Sequence, residues 1–345
     1  MTAALDPIPV QDAQRPFFVG VDVGGTGMKI GVVDDRGNTL ARTKLATLEE
    51  RGPEDAIERI TRTIHSQLEK LSLSMHDIAA IGLGTPGTMD IPRGMILEPP
   101  NLPHWRNFPV RDALAQASGK MVAYANDANA AAYGEYWVGS GRDHRSMVML
   151  TLGTGVGGGI IVDDVSIDGE HSHGSECGHI IIDFTPDARV CACGRRGHLE
   201  AYASATALVK RTKEALAAGR TSSLTERIAE GEELSGLMLA QEAEKGDALS
   251  LELIMETAMY VGIGAVSLMH TIDPGAVIIG GAMNFGGNAS PLGRRFIERV
   301  REEVHRLAFP IPAQNTVVDF ASLVGHAGYI GAAGIARLAY HKNQG

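Results

Sequence analysis

The chain has no uninterrupted apolar run long enough to cross a membrane. Of its 345 residues 44% are apolar, but the nearest candidate, 257–269, is shorter than the about 20 residues that a spanning helix needs. The N-terminal segment, residues 1–16, has no apolar centre, and Asp6 and Asp12 stand among its prolines, so it is not a signal peptide. We therefore expect a protein without a membrane partner, preceded by a disordered lead-in over residues 1–16.

The chain also has fewer positively charged residues than negatively charged ones. The chain has 31 lysines and arginines against 41 aspartates and glutamates, which gives a net charge of −10, and it contains no basic run. A protein that binds nucleic acid without regard to sequence needs a basic surface, so this class is excluded. The acidic surface instead suits a cytoplasmic protein that handles small molecules.

Two common nucleotide-binding fingerprints are missing. The glycine loops of the chain do not read G-x-x-x-x-G-K-[ST], which excludes a P-loop, and no G-x-G-x-x-G follows the first predicted strand. If this protein binds a nucleotide, it must use another kind of loop.

Such loops are present, because glycines directly follow three short apolar runs that we predict to be buried strands. These loops are Gly24-Gly25-Thr26, Gly153-Thr154-Gly155 and Gly280-Gly281. Glycine lets backbone N–H groups approach an anion closely, and threonine adds a hydroxyl donor. A single loop of this kind would be explained as well by an ordinary hairpin turn. Their repetition predicts two related lobes that face one nucleotide.

Cysteine is rare, and the three cysteines of the chain all lie within residues 174–200. Cys191 and Cys193 flank one alanine, His198 follows in the same short turn, and His179 stands upstream, before a strand-like run at 180–182. Thiolates and imidazoles on one tight loop are the ligands of a four-coordinate structural zinc. Three unrelated thiols beside surface histidines are the alternative, but this concentration of rare residues favours the metal. Thiols used in this way indicate a reducing compartment.

Carboxylates stand at three places where they can meet a polar ligand. Glu176 and Glu200 bracket the cysteine segment, and Asp127 follows Asn126 at the end of the predicted strand 121–125. Asn126 and Asp127 are also the residue types that cap a helix, and both roles can hold at once.

Two further segments bear on the organisation of the chain. The loop 98–105 is polar and rich in proline, so we expect it to lie outside the core. The helix predicted at 328–340 consists largely of small residues, which permit close packing, and we expect it to cross back onto the first lobe.

Taken in order, these motifs resemble the ROK family of sugar kinases over residues 19–338. The motifs that carry the resemblance are Asp22-Val23-Gly24-Gly25-Thr26, Pro100-Asn101-Leu102, Asn126-Asp127, Gly153-Thr154-Gly155, Gly174-x-Glu176-x-Gly178-His179, the segment from Cys191 to Glu200, and Gly280-Gly281. The resemblance implies an α/β, actin-like and ribonuclease-H-like fold of two lobes, with ATP and sugar in the cleft. The first lobe would comprise residues 17–125 and 327–345, and the second residues 126–326 with the zinc loop at 174–200.

The resemblance also implies Mg²⁺- and ATP-dependent phosphorylation of a hexose, glucose in particular, with Asp127 as the catalytic base on the sugar hydroxyl. The implied partners of the other sugar hydroxyls are Asn101, Asn126, Glu176, His179 and Glu200. The implied nucleotide contacts are Gly24, Gly25, Thr26, Gly153, Thr154 and Gly155 for the phosphates, and Gly280 and Gly281 near the adenosine. The implied zinc ligands are His179, Cys191, Cys193 and His198, where the family usually has a cysteine at the last position.

Three alternatives belong to the same family. A sugar-sensing repressor would need a helix-turn-helix, and only 16 residues precede Phe17. A polyphosphate-dependent glucokinase has a similar first loop, 25–29, but the zinc segment points to ATP and the lack of basic runs disfavours a long polyanion. The sequence separates glucose poorly from fructose, mannose or an N-acetylated amino sugar. Members of the family commonly form dimers, and the sequence does not decide the oligomeric state.

Overall fold

The computed structural model describes residues 6–344, which form two compact units. Unit 1 comprises the residues up to Asp143, Gly159–Ser175 and the residues from Ser322 onwards; unit 2 comprises His144–Gly158 and Glu176–Ala321. This division differs from the expected boundary at Ala125, because unit 1 extends to Asp143 and also includes the segment 159–175.

The structure consists of alternating strands and helices. The strands are β1 (Phe17–Val23), β2 (Gly27–Val33), β3 (Thr39–Ala46), β4 (Ile78–Thr85), β5 (Met89–Asp90), β6 (Met95–Ile96), β7 (Val122–Asn126), β8 (Ser146–Leu152), β9 (Val156–Val162), β10 (Val165–Ser166), β11 (Ala276–Gly280) and β12 (Val317–Phe320). The helices are α1 (Gly52–Lys70), α2 (Val110–Ser118), α3 (Asp127–Trp137), α4 (Glu200–Ala203), α5 (Ala205–Ala217), α6 (Leu224–Ala229), α7 (Gly236–Glu244), α8 (Ala248–Ile272), α9 (Pro291–Leu307), α10 (Pro310–Asn315) and α11 (Ala327–Lys342).

Two five-stranded sheets repeat one strand order. The first sheet runs β3-β2-β1-β4-β7 and the second β10-β9-β8-β11-β12, so each places its first strand at the centre with the next two on one side and the last two on the other. β1 pairs with β2 antiparallel and with β4 parallel, and β4 pairs with β7 parallel. In the second sheet β11 is parallel to both β8 and β12. The shared order confirms the prediction of an α/β fold that contains a structural repeat.

The small residues of α11 let this helix lie directly on the first sheet, as expected. A Cβ atom on Gly20 of β1 would lie 1.7 Å from the Tyr329 carbonyl oxygen, and one on Gly82 of β4 would lie 1.7 Å from the Ala332 carbonyl oxygen. α3 packs equally closely on α11, since a Cβ atom on Gly331 would lie 1.6 Å from the Ala130 carbonyl oxygen. This packing explains why α3 belongs to unit 1.

The described part of the N-terminal lead-in is ordered on unit 1, contrary to expectation. The Ile8 N–H donates to the Thr39 carbonyl oxygen at 2.9 Å, and the Gln14 N–H donates to the Asp34 carboxylate at 2.9 Å. Arg15 also forms an ion pair with Asp77 at 2.9 Å. These contacts are mostly made by backbone groups, which the side-chain pattern of a sequence does not show. Residues 1–5 of the lead-in lie outside the described residues.

The loop 98–105 also differs from expectation, because two of its side chains belong to the core of unit 1. Leu102 and Trp105 are both 0% exposed and pack with the strands of the first sheet. A short 3-10 turn, Pro103–Trp105, brings them inwards together. Because polar and proline residues lie between these two side chains, the sequence pattern did not predict their burial.

Unit 2 has α8 as its central helix. On length and composition alone α8 could cross a membrane, but 61% of its most apolar window is buried inside the protein, as in a core helix. α7 ends and α8 begins around Gly246-Asp247, and the Asp247 side chain caps α8 by accepting from the Ser250 N–H. α8 ends at Ile272, and its C-terminal cap is Asp273, whose φ of 54° is left-handed and which precedes Pro274.

Candidate active site and metal centre

In unit 1, Asp127 lies where the parallel strands of the first sheet end. Asp22 of β1 stands opposite Gly84 of β4, and Thr85 stands opposite Asn126 of β7, so the three strands end at the same edge. In open α/β sheets this carboxyl edge is where ligands bind. Asp127 is the first residue of α3, where the helix dipole favours a carboxylate.

Asn126 holds this end of α3 in place. Its side-chain oxygen accepts from the backbone N–H groups of Ala128 at 2.9 Å and Asn129 at 3.4 Å, so it is the N-cap of the helix. Its amide nitrogen makes no hydrogen bond to another described residue and can therefore meet a ligand. The capping role and the proposed sugar contact are thus served by different atoms of one side chain.

The first glycine loop is a tight turn against Asn101. The Gly24 N–H donates to the Gly27 carbonyl oxygen at 2.9 Å, and the Thr47 hydroxyl donates to the Gly24 carbonyl oxygen at 2.7 Å. A Cβ atom on Gly25 would lie 3.0 Å from the Cβ atom of Asn101. The burial of Leu102 and Trp105 fixes the backbone that carries Asn101, so this residue and the turn form one surface of unit 1.

Asp22 and Lys29 flank the same turn, and no sequence motif assigned a role to either side chain. Lys29 Nζ lies 3.7 Å from Asp22 Oδ2. Burial raises the pKa of Asp22, and the nearby Lys29 charge opposes that shift. The sequence shows Asp22 only as part of the glycine motif, and no signal in it pairs the two residues.

In unit 2 the other two glycine loops lie together. The Gly153 carbonyl oxygen accepts from the Ala205 N–H at 2.8 Å, and the Thr154 carbonyl oxygen accepts from the Thr206 hydroxyl at 2.8 Å, which fixes this loop on α5. A Cβ atom on Gly281 would lie 2.2 Å from the Leu152 carbonyl oxygen. The turn at Gly280-Gly281 thus approaches the backbone that leads into Gly153.

The four predicted metal ligands converge on one point of unit 2. One nitrogen or sulfur atom from each of His179, Cys191, Cys193 and His198 lies within 4.8 Å of the others. The two imidazole Nδ1 atoms are 3.2 Å apart, Cys193 Sγ is 3.3 Å from His198 Nδ1, and Cys191 Sγ is 3.8 Å from His179 Nδ1.

These distances match a tetrahedral metal site. With zinc–nitrogen bonds of about 2.0–2.1 Å and zinc–sulfur bonds of about 2.3 Å, tetrahedral angles place two nitrogens about 3.4 Å apart and a nitrogen and a sulfur about 3.6 Å apart. Three inter-ligand distances of 3.2, 3.3 and 3.8 Å lie close to these values. The cluster can therefore hold a metal ion with little rearrangement.

The metal-free protonation states follow from the surroundings of the ligands. Burial raises the pKa of Cys191 to about 12, so its thiol is protonated at neutral pH. Burial and then the neighbouring His179 lower the pKa of His198, which keeps this imidazole neutral and ready to ligate. A metal ion entering the site must displace the thiol proton. Cys177, the third cysteine, is buried and does not join the cluster.

Both glutamates contact this cluster. Glu176 Oε2 lies 3.8 Å from His179 Nε2, the nitrogen that points away from the other ligands, which is where an outer carboxylate orients a metal-bound imidazole. Glu200 Oε1 accepts from the Cys191 thiol at 3.2 Å, and Oε2 accepts from the Val156 N–H at 3.1 Å. Glu200 therefore connects the cysteine segment with the end of the Gly153–Gly155 loop.

Tyr202 of α4 is a further residue that holds this region, and no sequence motif pointed to it. Its hydroxyl donates to Asp183 Oδ2 at 2.6 Å and accepts from the Arg189 N–H at 2.8 Å, so it spans the loop before the cysteines. A tyrosine on a helix carries no sequence signal for such a contact.

The structure thus places the predicted site residues in two groups, each held within its own unit. The group of unit 1 is Gly24, Gly25, Thr26, Asn101, Asn126 and Asp127, and the group of unit 2 is Gly153, Thr154, Gly155, Glu176, His179, Cys191, Cys193, His198, Glu200, Gly280 and Gly281.

Comparison with known proteins identifies close similarities over almost the whole chain. The ROK family profile matches residues 18–339. A glucokinase of Thermotoga maritima is 35% identical over 319 residues, which cover 92% of this chain and 96% of that protein.

Solved structures show the same fold. The ROK hexokinase from Thermus thermophilus has a TM-score of 0.79 and 32% identity, covering 94% of this chain and 99% of its own. A ROK family glucokinase from Streptomyces griseus, crystallised with glucose and AMPPNP, has a TM-score of 0.73 and 33% identity, covering 93% of this chain and 99% of its own. These similarities confirm the predicted α/β kinase fold.

Proposed function

This chain belongs to the ROK family, and we propose that it is a hexokinase-type phosphotransferase that converts glucose and ATP into glucose 6-phosphate and ADP. The observation that carries the proposal is the position of Asp127 in the first turn of α3, at the carboxyl edge of the first sheet. The glucokinase relatives and the Streptomyces griseus complex with glucose and an ATP analogue support the same substrates.

In the proposed reaction Asp127 acts as the general base. It accepts the proton of the sugar 6-hydroxyl while that oxygen bonds to the γ-phosphorus and the bond from phosphorus to the ADP oxygen breaks. Phosphoryl transfer needs mainly in-line positioning and neutralised phosphate charge, with proton removal late in the step, so a carboxylate is basic enough. The cap that Asn126 places on α3 would hold Asp127 in position.

Hydrogen-bonding side chains would bind the sugar, which is uncharged and offers little apolar surface. In unit 1 these are Asn101 and the amide nitrogen of Asn126; in unit 2 they are Glu176, His179 and Glu200. A site built to hydrogen-bond hydroxyl groups rejects analogues that lack them, because its polar groups are then left unpaired. Such a set of residues suits a hexose as substrate.

The three glycine loops would bind ATP. We assign the phosphates to Gly24–Thr26 and Gly153–Gly155 and the adenosine to Gly280-Gly281. When bound with ATP, Mg²⁺ would neutralise phosphate charge, and the Asp22 carboxylate at the edge of unit 1 is the kind of oxygen ligand that this ion accepts.

The Cys/His cluster would hold one zinc ion per chain, with His179, Cys191, Cys193 and His198 as ligands. Two thiolates and two neutral imidazoles give a site with no net charge, and histidine in place of a third cysteine is compatible with tetrahedral zinc. When bound, the ion cross-links the segment that carries Glu176 and Glu200. Metal analysis of protein purified without a histidine tag tests this assignment: we expect about one zinc per chain in the wild type and loss of zinc in His198→Ala. Full zinc retention in that variant would remove His198 from the ligand set.

A coupled phosphorylation assay over a panel of hexoses tests the proposed reaction. The panel contains glucose, fructose, mannose and N-acetylated amino sugars, each with ATP and with polyphosphate as donor. We expect the highest kcat/KM for glucose with ATP. A higher value for another hexose would replace glucose as the substrate, and the absence of transfer to every hexose would contradict a sugar kinase.

A further inference from the structure

The residue that follows the second glycine loop is held by two other segments of unit 2. Val156 begins β9, directly after Gly153–Gly155. Its N–H donates to Glu200 Oε2 at 3.1 Å. Its carbonyl oxygen faces Gly178, because a Cβ atom on that glycine would lie only 1.9 Å away. Both polar groups of the Val156 backbone are therefore in close contact with residues that are distant in the sequence.

Both of these contacts come from the segment that carries the four predicted metal ligands. Gly178 directly precedes His179, and Glu200 follows His198 by two residues. We call residues 176–200 the metal-binding segment. The contacts with the start of β9 thus stand beside a ligand at each end of this segment.

The two ends of the metal-binding segment are also joined to each other. Leu199, which lies between His198 and Glu200, is buried and donates its N–H to the Ile180 carbonyl oxygen at 3.0 Å. Ile181 forms a bridge with His198. Because these bonds bring the start and the end of the segment together, its two contacts with β9 depend on one local structure.

The Glu200 carboxylate also lies against the glycine loop itself. A Cβ atom on Gly155 would lie 2.4 Å from Glu200 Oε2, so a side chain at this position would collide with the carboxylate. The first two residues of the loop are fixed on α5 by Ala205 and Thr206, and the contact with Glu200 adds a constraint at the end of the loop. A hydrogen bond from a backbone N–H to a carboxylate is about twice as strong as one to a neutral acceptor.

We propose that Glu200 is a positioning residue for the Gly153–Gly155 loop and that it couples metal binding to nucleotide binding. With the ligands fixed by a bound ion, Gly178 and Glu200 would hold the backbone that follows the loop. A loop that is ordered in advance loses less entropy when it binds phosphate groups, so the nucleotide binds more tightly. Since such coupling is reciprocal, bound nucleotide should also raise the affinity for zinc.

This inference rests on the proposed function in taking Gly153–Gly155 as a phosphate contact, and its tests do not need kinase activity. Calorimetry in the absence of sugar measures the affinity for AMPPNP with Mg²⁺ in the wild type, Glu200→Ala and Glu200→Gln. The glutamine oxygen can still accept from the Val156 N–H, whereas alanine cannot. Glu176→Ala is the matched control, because it removes the other glutamate of the segment, which contacts His179 instead. Thermal unfolding and zinc analysis verify that each variant is folded and loaded.

We expect Glu200→Ala to bind AMPPNP about fivefold or more weakly than the wild type, the lower end of coupling between sites. Glu200→Gln should lose less affinity, because it keeps a weaker hydrogen bond, and Glu176→Ala should bind as the wild type does. If Glu200 served only as a sugar contact, Glu200→Ala would bind AMPPNP as tightly as the wild type, and this result would overturn the proposal. Equal losses in Glu176→Ala and Glu200→Ala would also overturn it.

Cys193→Ser tests the link to the metal, because it removes an exposed ligand from the cluster. We expect this variant to lack zinc and to bind AMPPNP about fivefold or more weakly, again in the absence of sugar. Conversely, AMPPNP should slow the removal of zinc from the wild type by a chelator. Unchanged AMPPNP affinity in zinc-free Cys193→Ser would overturn the coupling.

Hydrogen exchange separates a failure of this inference from a failure of the proposed function. The Val156 amide should lose protection in Glu200→Ala and in zinc-free Cys193→Ser. If the wild type did not bind AMPPNP but Val156 lost protection in both variants, the proposed function would be refuted and the positioning role of Glu200 would stand. Unchanged protection of Val156 in both variants would overturn that role.

Discussion

The two five-stranded sheets repeat one strand order, but the two units hold their candidate site residues by different means. In unit 1, Asn101 and Asp127 are positioned by the buried side chains of Leu102 and Trp105 and by the close packing of α3 on α11. In unit 2, the loop from 180 to 198 leaves three of its larger apolar side chains exposed: Ile181 is 64%, Phe184 94% and Val190 48% exposed. A segment that buries so little apolar surface needs another constraint, and the Cys/His cluster supplies a cross-link of the kind that fixes small metal-binding loops.

The largest effect that we expect comes from Asp127, because its substitution can remove the proposed chemistry of unit 1 without changing the packing. Asp127→Asn keeps shape and hydrogen-bonding capacity but removes the base, so kcat should fall by about 10²–10⁴-fold while glucose affinity stays within a few-fold. Steady-state kinetics and calorimetry with glucose measure the two quantities. More than about a tenth of wild-type turnover would remove Asp127 from the role of base.

The next substitution, Gly20→Ala, disrupts the packing of α11 on the first sheet in unit 1 and leaves the Cys/His cluster intact. In Gly20→Ala the new methyl group would lie 1.7 Å from the Tyr329 carbonyl oxygen, so α11 must shift. We expect a loss of about 1–3 kcal/mol or more in the free energy of unfolding, measured in urea, with zinc content unchanged.

Gly236→Ala is the matched control, because a Cβ atom there meets nothing within 4 Å and φ is not left-handed. It should leave the free energy of unfolding unchanged or slightly higher. If Gly20→Ala behaved like Gly236→Ala, the close packing of α11 on the first sheet would not be what stabilises unit 1.

A third change addresses the cross-link in unit 2. Cys193 is exposed, so Cys193→Ser removes a ligand with little loss of packing. We expect loss of zinc and a fall of about 10–100-fold in kcat/KM for glucose, carried mainly by KM, because Glu176 and Glu200 are no longer held. Cys177→Ala is the control, since Cys177 is buried outside the cluster, and it should keep its zinc. Unchanged glucose kinetics in zinc-free Cys193→Ser would show that the metal does not order the sugar contacts.

The smallest effect that we expect distinguishes the roles of the oxygen and the nitrogen of the Asn126 side-chain amide. Asn126→Ala removes the α3 cap and should cost about 1 kcal/mol of stability together with glucose affinity. Asn126→Asp keeps the capping oxygen but loses the amide nitrogen, so stability should be retained while glucose affinity falls. Equal glucose affinities of Asn126→Asp and the wild type would mean that Asn126 acts only as a cap.

Local patterns in the sequence predicted much of the fold. β1, β8 and β11 were predicted because their residues form short apolar runs before glycine. The run 180–182 failed as a strand, since within it only Ile181 forms a bridge, to His198, and its side chain is largely exposed. Apolar character alone did not reveal whether a partner strand was available.

The candidate site was predictable where its residues are close in sequence. The Cys/His cluster lies mostly within one short loop, so its spacing was informative, and the structure brings all four ligands together. The contact of Tyr202 with Asp183 and the ordered segment after Asp6 depend on long-range packing or backbone hydrogen bonds. A pattern of residue types does not record such contacts.

The central claim is that packing holds the candidate site residues of unit 1, whereas a metal ion holds those of unit 2. Hydrogen exchange with and without a zinc chelator tests this claim most directly. The account predicts that chelation releases about one zinc per chain and removes amide protection over residues 176–200 of unit 2, while the amides of β7 and α3 in unit 1 keep theirs. Unchanged protection of residues 176–200 after complete zinc removal, or equal loss of protection in β7 and α3, would contradict it.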